Sequence, residues 1–528
     1  MTGTVFWITL AIYLFVGIFV TRYIKTAVDY YVMGGKANQW LITGTLTATY
    51  MSASTMIGIA GIVYLNGPPI FMLVYGSWIG LVAAMLYSGR RLRAMGAMTM
   101  PDYLENRFGS RVRIAGTIAM IVGLFAYGLI QVMGAAILLA DVIGLSYNQM
   151  VVIFGLALLV FVVLGGMWGV VTTDTIMLVT MIVATLVVAP LALVKAGGME
   201  ALTSTLPGID PAFWSAGGAA LNMPLGWTIG QWLLWAVFFI AAPWIVSRSF
   251  PARDDFALMK GTAISTILAL VCVTIFFLGV SSVYVINPEI DPGDRVFVWT
   301  SLNLVHPFWG GLGLAGMMAG ILSTASTIFI YAGFALSRDL FERITPKQYS
   351  DSQRILIARI CQAIIGIGVI VVTLARPLAI YWIAAWSGGI FATSWAPVMI
   401  LGFEWKRVTE KAALVGMLGG AAFYIILYAL AEAGTVTLPF MLDPVIFGIV
   451  FTFVLMIVVS YMSKLSTTEI EMYEKQKAIN LAEKTIREAP SWSYVVKEYK
   501  STIFVAVLCS VIAIIVFGYL MIRIVPYV

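Results

Sequence analysis

Apolar runs of about 20 residues recur along this chain from end to end, each long enough for one helical crossing of a bilayer's hydrocarbon core. Fourteen can be read off: 4–24, 42–65, 69–88, 112–140, 148–165, 168–196, 225–247, 259–284, 309–337, 354–374, 379–402, 410–431, 441–461 and 502–523. With 61% hydrophobic and 11% charged residues, too little polar surface is available to coat a soluble domain. Within lipid a helix satisfies its own backbone hydrogen bonds, so the expected class is an all-α integral membrane protein. The gaps are mostly short, which predicts one helical bundle rather than separate domains.

Lys and Arg set the orientation. With the loops alternating from outside, 27 of the 31 basic residues fall on one side, which the positive-inside rule makes the cytoplasmic one. Lys195, Arg295, Arg376 and Arg523 remain opposite. Both termini are then expected outside, and the net charge of +6 reflects topology rather than a nucleic-acid surface. The first run lacks a basic start and ends at Arg22, which reads as an uncleaved anchor. Cys272, Cys361 and Cys509 are far apart within apolar runs and read as packing residues. The single histidine, His306, is assigned no role.

The second run contains the most unusual stretch, Thr43 to Gly61. Thr43, Thr45, Thr47, Thr49, Ser52, Ser54 and Thr55 all carry hydroxyls, and Tyr50 adds another. Hydroxyls at membrane depth bond a neighbouring helix or line a polar cavity. One reading is a helix interrupted near mid-membrane, its freed carbonyls facing an ion. The other is a packed helix whose hydroxyls bond back to their own turn.

Polar residues elsewhere are few. Tyr127 and Gln131 share a helix face at i, i+4, followed by the small Gly134 and Ala135; Gln131 requires either an interhelical partner or a polar ligand. Asp174 is the only charged residue between Val142 and Val194. A carboxylate at that depth is a functional candidate, with a helix-start cap alongside Thr172 and Thr173 as the alternative. Gln231, Trp232 and Trp235 precede Pro243, which should kink the seventh segment. In the ninth, Ser323, Ser326 and Thr327 share one face and Thr324 lies about 100° round from Ser323. Those oxygens suit a hard cation such as Na⁺, or small-residue helix packing. Trp382, Trp386, Ser387, Gly388 and Gly389 on the eleventh fit a gate, a cavity wall or core packing. The stretch 463–500 is charged and reads as a cytoplasmic helical segment. No nucleophile–base cluster, phosphate loop or Cys/His metal site emerges, so an enzyme is not expected.

Taken in order, TLTATYMSASTMIG, GGMWGVVTTDT, ILSTAST with ALSRDLF, and WSGGIFATSWAPVMILGFEWKR resemble the sodium/solute symporter family over about residues 5 to 460. That resemblance implies a leucine-transporter type fold, with a core of two five-helix inverted repeats at 42–402. Residues 1–41 would then be a first helix and linker, and 403–528 the remaining transmembrane helices with the cytoplasmic segment. Carried over residue by residue, it implies a sodium site formed by the carbonyls of Ala48, Met51 and Gly320 and the hydroxyls of Ser323 and Thr324. A second sodium site would use Asp174, Ser323, Ser326 and Thr327. Tyr50, Ser52, Ser54, Tyr127, Gln131, Trp235 and Trp386 would line the solute pocket.

The expected activity is Na⁺-coupled symport of a small organic solute by alternating access, in a prokaryotic inner membrane. Where the family's proline permeases carry an aspartate, this chain has Tyr50. TATYMSAS is closest to the pantothenate branch, whereas Tyr127, Gln131 and Gly134 resemble the acetate and monocarboxylate branch. A monocarboxylate or pantothenate-like anion is therefore expected, with an amino acid or a sugar as the alternative solute. A transporter-like membrane sensor, a proton-coupled carrier and a channel are competing classes. The partners implied are solute, sodium ions and the lipid bilayer; oligomeric state is not legible.

Overall fold

The structure is a computed structural model that describes residues 1–345, 347–375, 379–439 and 442–479. Among the described residues ten helices are long and apolar enough to cross a membrane, and two bent pairs bring the number to twelve. In chain order the helices are α1 Thr2–Tyr23, α2 Gln39–Tyr50, α3 Ser54–Asn66, α4 Pro68–Ala94, α5 Ser110–Ile143, α6 Tyr147–Val163, α7 Gly166–Lys195 and α8 Leu225–Ile240. They continue with α9 Pro243–Ser249, α10 Asp255–Ile286, α11 Pro307–Ile344, α12 Asp351–Thr373, α13 Ile380–Glu404, α14 Glu410–Glu432 and α15 Pro444–Met462. A short, largely polar helix, α16 Thr467–Lys477, follows, with Tyr473 its one buried side chain.

Twelve of the fourteen expected segments coincide with these spans or bent pairs, and 148–165 falls on the shorter α6. The segment 502–523 and the part of 463–500 beyond residue 479 lie outside the described residues. α6 and α7 are separated at Gly166, whose φ of +50° and ψ of −161° leave the helical region. Glycine reaches that backbone without a Cβ clash.

Burial ranks the helices from centre to rim. The most apolar window of α11 is entirely buried, whereas those of α1 and α14 are only 22% and 28% buried. α11 therefore threads the middle of the bundle, and its small residues admit neighbouring backbones. A Cβ on Gly316 would stand 2.3 Å from the Thr180 carbonyl oxygen, and one on Gly320 only 1.9 Å from that of Met51. Both contacts bring another stretch of backbone against α11 more closely than any side chain allows.

Between α4 and α5 the chain folds into a short helix, Pro101–Phe108. Arg107 within it is fully buried and donates to the carbonyls of Gly402 at 3.1 Å and Val408 at 3.3 Å, fastening the end of α13. Asp102 pairs with Arg338 at 2.8 Å and Arg113 at 3.1 Å, and Arg113 also pairs with the buried Asp339. α16 joins this end of the bundle through Glu469, which accepts from the Glu410 amide at 2.6 Å.

Candidate ion and solute site

The site begins with two broken helices. α2 ends at Tyr50, Met51 leaves the helical region at ψ 56°, and α3 resumes at Ser54 with a bend of 48°. The last carbonyls of a helix lack i+4 donors, so at membrane depth they require partners from elsewhere. Hydroxyls supply them. Thr324 on α11 donates to the Thr49 carbonyl at 3.0 Å, and Thr55 reaches back to that of Tyr50 at 2.8 Å. Gln131 on α5 caps the other lip, its Oε1 accepting from the Ala53 amide at 3.2 Å. Ala48 and Met51 contribute the remaining carbonyls at the break.

α8 and α9 form the second break, also bent by 48°, at Ala241 and Ala242 immediately before Pro243. Proline fits the first turn of α9, where its missing N–H costs nothing. The expected kink in the seventh segment is thus a full interruption.

α11 passes between the two breaks. Besides Thr324, its Ser323 hydroxyl lies 3.4 Å from that of Thr49. Four residues of the first expected sodium set, Met51, Gly320, Ser323 and Thr324, therefore meet where α11 crosses the break, and Ala48 is buried on the adjoining turn of α2. Of the two readings of the hydroxyl-rich stretch, the interrupted helix is the one adopted, although Thr43 and Thr49 also bond back to their own turns.

Asp174 stands inside α7, eight residues past its start, so it does not cap a helix. It is 1% exposed; its Oδ2 accepts from the Thr45 hydroxyl at 2.6 Å and lies 3.1 Å from Nη2 of Arg248. That arginine belongs to α9, is itself fully buried, and donates from the same nitrogen to the Thr327 hydroxyl and toward the Ser323 carbonyl at 3.4 Å. Ser326 and Thr327 donate back to Leu322 at 2.6 Å and to Ser323 at 2.9 Å. Sequence reasoning counted Arg248 among the loop cations. The available signal was its place five residues after Pro243, in a stretch that the proline detaches from α8.

Beside the α2–α3 break lies a cavity of about 10 Å³, room for one water molecule, lined by Tyr50, Ser52, Thr55, Ser77, Tyr127 and Trp235 among others. Aromatic rings close it. Tyr127 stacks obliquely on Trp244 with centroids 4.3 Å apart, Tyr50 lies 5.9 Å from Phe239, and the Tyr50 hydroxyl bonds Ser77 at 2.6 Å. Of the residues expected around the solute, Tyr50, Ser52, Tyr127 and Trp235 line this cavity. Ser54 and Gln131 are buried at the break itself, and Trp386 lies outside the lining, only partly buried against the core. Gln131 spends its carbonyl on Ala53, while its Nε2 has no hydrogen-bond partner.

A larger cavity of about 630 Å³ opens between α8, α13, α14 and α15, lined by Trp227, Gln231, Trp382, Tyr424, Tyr428 and Asp443 among others. Gln231 joins three helices there: its amide donates to Asp443 at 2.5 Å and its carbonyl accepts from the Tyr381 hydroxyl at 2.9 Å.

The pattern of the sodium:solute symporter family matches residues 30–420. The chain belongs to that family. It is a sodium-coupled solute symporter of the membrane and not an enzyme. The sodium/pantothenate symporter of Escherichia coli is 26% identical over 413 residues, 77% of this chain and 85% of that protein. A high-affinity proline transporter of Bacillus subtilis is 24% identical over 428 residues, 78% of this chain and 89% of its own length. Among solved structures, a Na⁺-coupled sialic acid symporter in a substrate-bound outward-open state matches with a TM-score of 0.74 at 19% identity. That match covers 88% of this chain and 99% of the other, and the likeness shows a shared fold.

Proposed function

We propose that this symporter carries a small organic anion, a monocarboxylate or a pantothenate-like acid, together with Na⁺ by alternating access. The observation that carries the anionic reading is the chemistry of the closed cavity. Its described lining offers hydroxyls from Tyr50, Ser52, Thr55, Ser77 and Tyr127 but no carboxylate, and the unspent Gln131 amide adjoins it. A zwitterion entering here would bury an ammonium without a counter-charge, which is costly. A carboxylate would find hydroxyl and amide donors and the field of a nearby Na⁺. Because proline transporters are among the relatives, a sodium-coupled amino acid carrier is the second reading, with its ammonium satisfied by carbonyls at the break.

In this reading Na⁺ binds the carbonyls of Ala48, Met51 and Gly320 and the hydroxyls of Ser323 and Thr324, tying α2 and α3 to α11. The solute then contacts Tyr50, Ser52, Ser54, Tyr127, Gln131 and Trp235, with Trp386 on the gate side. One Na⁺ and one monovalent anion carried together move no net charge, so uphill transport follows the Na⁺ concentration gradient rather than the membrane potential, which acts only on net charge. The two bent pairs would open the inverted five-helix repeats of a leucine-transporter type core at 42–402, flanked by 1–41 and 403–528. We place the fourteen-helix protein in a bacterial inner membrane with both termini outside, from the basic-residue asymmetry.

Uptake into proteoliposomes tests the reading. A panel of short carboxylates, pantothenate, proline and glucose is offered with an inward Na⁺ gradient and with choline replacing Na⁺. Accumulation of an acid only with Na⁺ is the expected result; Na⁺-driven accumulation of proline alone would replace the anion with the second reading.

A further inference from the structure

The second oxygen set on α11 already holds a cation. Asp174, Ser323 and Thr327 converge on one point, and Nη2 of Arg248 occupies it: 3.1 Å from Asp174 Oδ2, 3.4 Å from the Ser323 carbonyl and bonded to the Thr327 hydroxyl. A hard cation held by protein oxygens stands about 2.3–2.6 Å from each. An ion sharing these three ligands would overlap the guanidinium nitrogen. Asp174 Oδ2 also accepts from Thr45 at 2.6 Å, so its lone pairs are taken from two sides. Ser326, the remaining member of the expected set, has turned its hydroxyl to Leu322.

Electrostatics agrees with the geometry. Asp174 and Arg248 are both fully buried and neutralise one another. Adding a second cation would leave a net positive charge away from water, which desolvation strongly disfavours. Removing the arginine would reverse the balance, leaving a buried carboxylate beside three hydroxyl-bearing residues.

We propose that Arg248 is a tethered substitute for a second sodium ion. The protein then takes up a single Na⁺ per cycle, and the Asp174 set becomes a sodium site only when the guanidinium is removed. The tether matters because Arg248 rides on α9, beyond the second helix break: the built-in cation moves with the protein and never crosses the membrane. This inference rests on the sodium site proposed above at the α2–α3 break.

The test counts ions rather than transport. Equilibrium binding of ²²Na⁺ to the purified full-length protein should saturate at one ion per chain. Arg248→Ser should raise this to two, and Arg248→Lys, which keeps a tethered cation, should leave it at one. Two ions on the wild-type protein would overturn the proposal while leaving sodium coupling intact. One ion on Arg248→Ser, in protein that still binds Na⁺, would overturn it as well. No saturable sodium on the wild type would instead remove the first site and this inference with it. Should Arg248→Ser fail to accumulate, the wild-type and Arg248→Lys stoichiometries still decide the matter.

Discussion

The hydroxyl of Thr324 donates to the carbonyl of Thr49 at 3.0 Å, joining residues 275 positions apart. This bond closes α11 over the α2–α3 break, and the same two elements supply the oxygens proposed for Na⁺. Thr324→Ala or Ser323→Ala should therefore raise the Na⁺ needed for half-maximal uptake about 10- to 150-fold, the equivalent of one hydrogen bond to a charged group. Solute affinity at saturating Na⁺ should change little. Uptake measured over a sodium titration checks this, and an unaltered Na⁺ dependence in both variants would take these residues out of the site.

Gly320 has a different task at the same crossing. Its Cα hydrogen faces the Met51 carbonyl, and an added Cβ would approach that oxygen to 1.9 Å. Backbone cannot yield as a flexible side chain does, so Gly320→Ala must push α11 off the break. The expected outcome is loss of Na⁺-dependent thermal stabilisation, together with a fall in stability of about 1–3 kcal/mol. A variant that kept full sodium stabilisation would show that the crossing tolerates the shift.

Gln131 gives its carbonyl to the Ala53 amide and leaves its Nε2 for the proposed solute. Gln131→Leu would strip the Ala53 amide of its acceptor, at a cost of about 1–3 kcal/mol, and would also remove the unpartnered Nε2. Lower thermal stability and a raised KM for solute should appear together. Were Nε2 irrelevant to solute, only the melting temperature would move.

Asp443 supplies a pH test at the larger cavity. Burial pushes its carboxyl up to about 6, although the Val445 amide and the Gln231 side chain favour the charged form. An acid whose pKa rises on folding binds more protons folded than unfolded between the two values. Its contribution to stability is complete below the unfolded pKa of about 4, declines as pH rises, and is lost above about 6. Wild-type protein should thus gain thermal stability relative to Asp443→Asn as pH is lowered from 7 to 5. A constant gap between the two melting curves would assign Asp443 no titration in that window.

How much could be read before folding differs between the bundle and its centre. Spans, caps and breaks are local properties: apolar length sets a crossing, Pro243 interrupts a helix, and a dense run of hydroxyls betrays carbonyls that need donors. Four of the residues expected around the solute do line one cavity. Trp386 does not, because a tryptophan beside paired glycines looks the same in a cavity wall as in packed core. Arg248 shows the limit from the other side, for a charge a few residues past a span is assigned to the loop by position alone.

The sequence by itself determined that this chain is a helical membrane protein and where its described helices run, and it marked the hydroxyl-rich second segment and Pro243 in the seventh as places where a helix departs from regularity. Those follow from the cost of exposing backbone or charge to lipid, which each segment meets on its own. Only the tertiary structure decided that Arg248 lies against Asp174 and that Thr324 reaches Thr49, since partners so distant along the chain are selected by the packing of the whole bundle. Charge neutrality in its interior is a property of the assembled pair, and neither residue's neighbours in sequence record it.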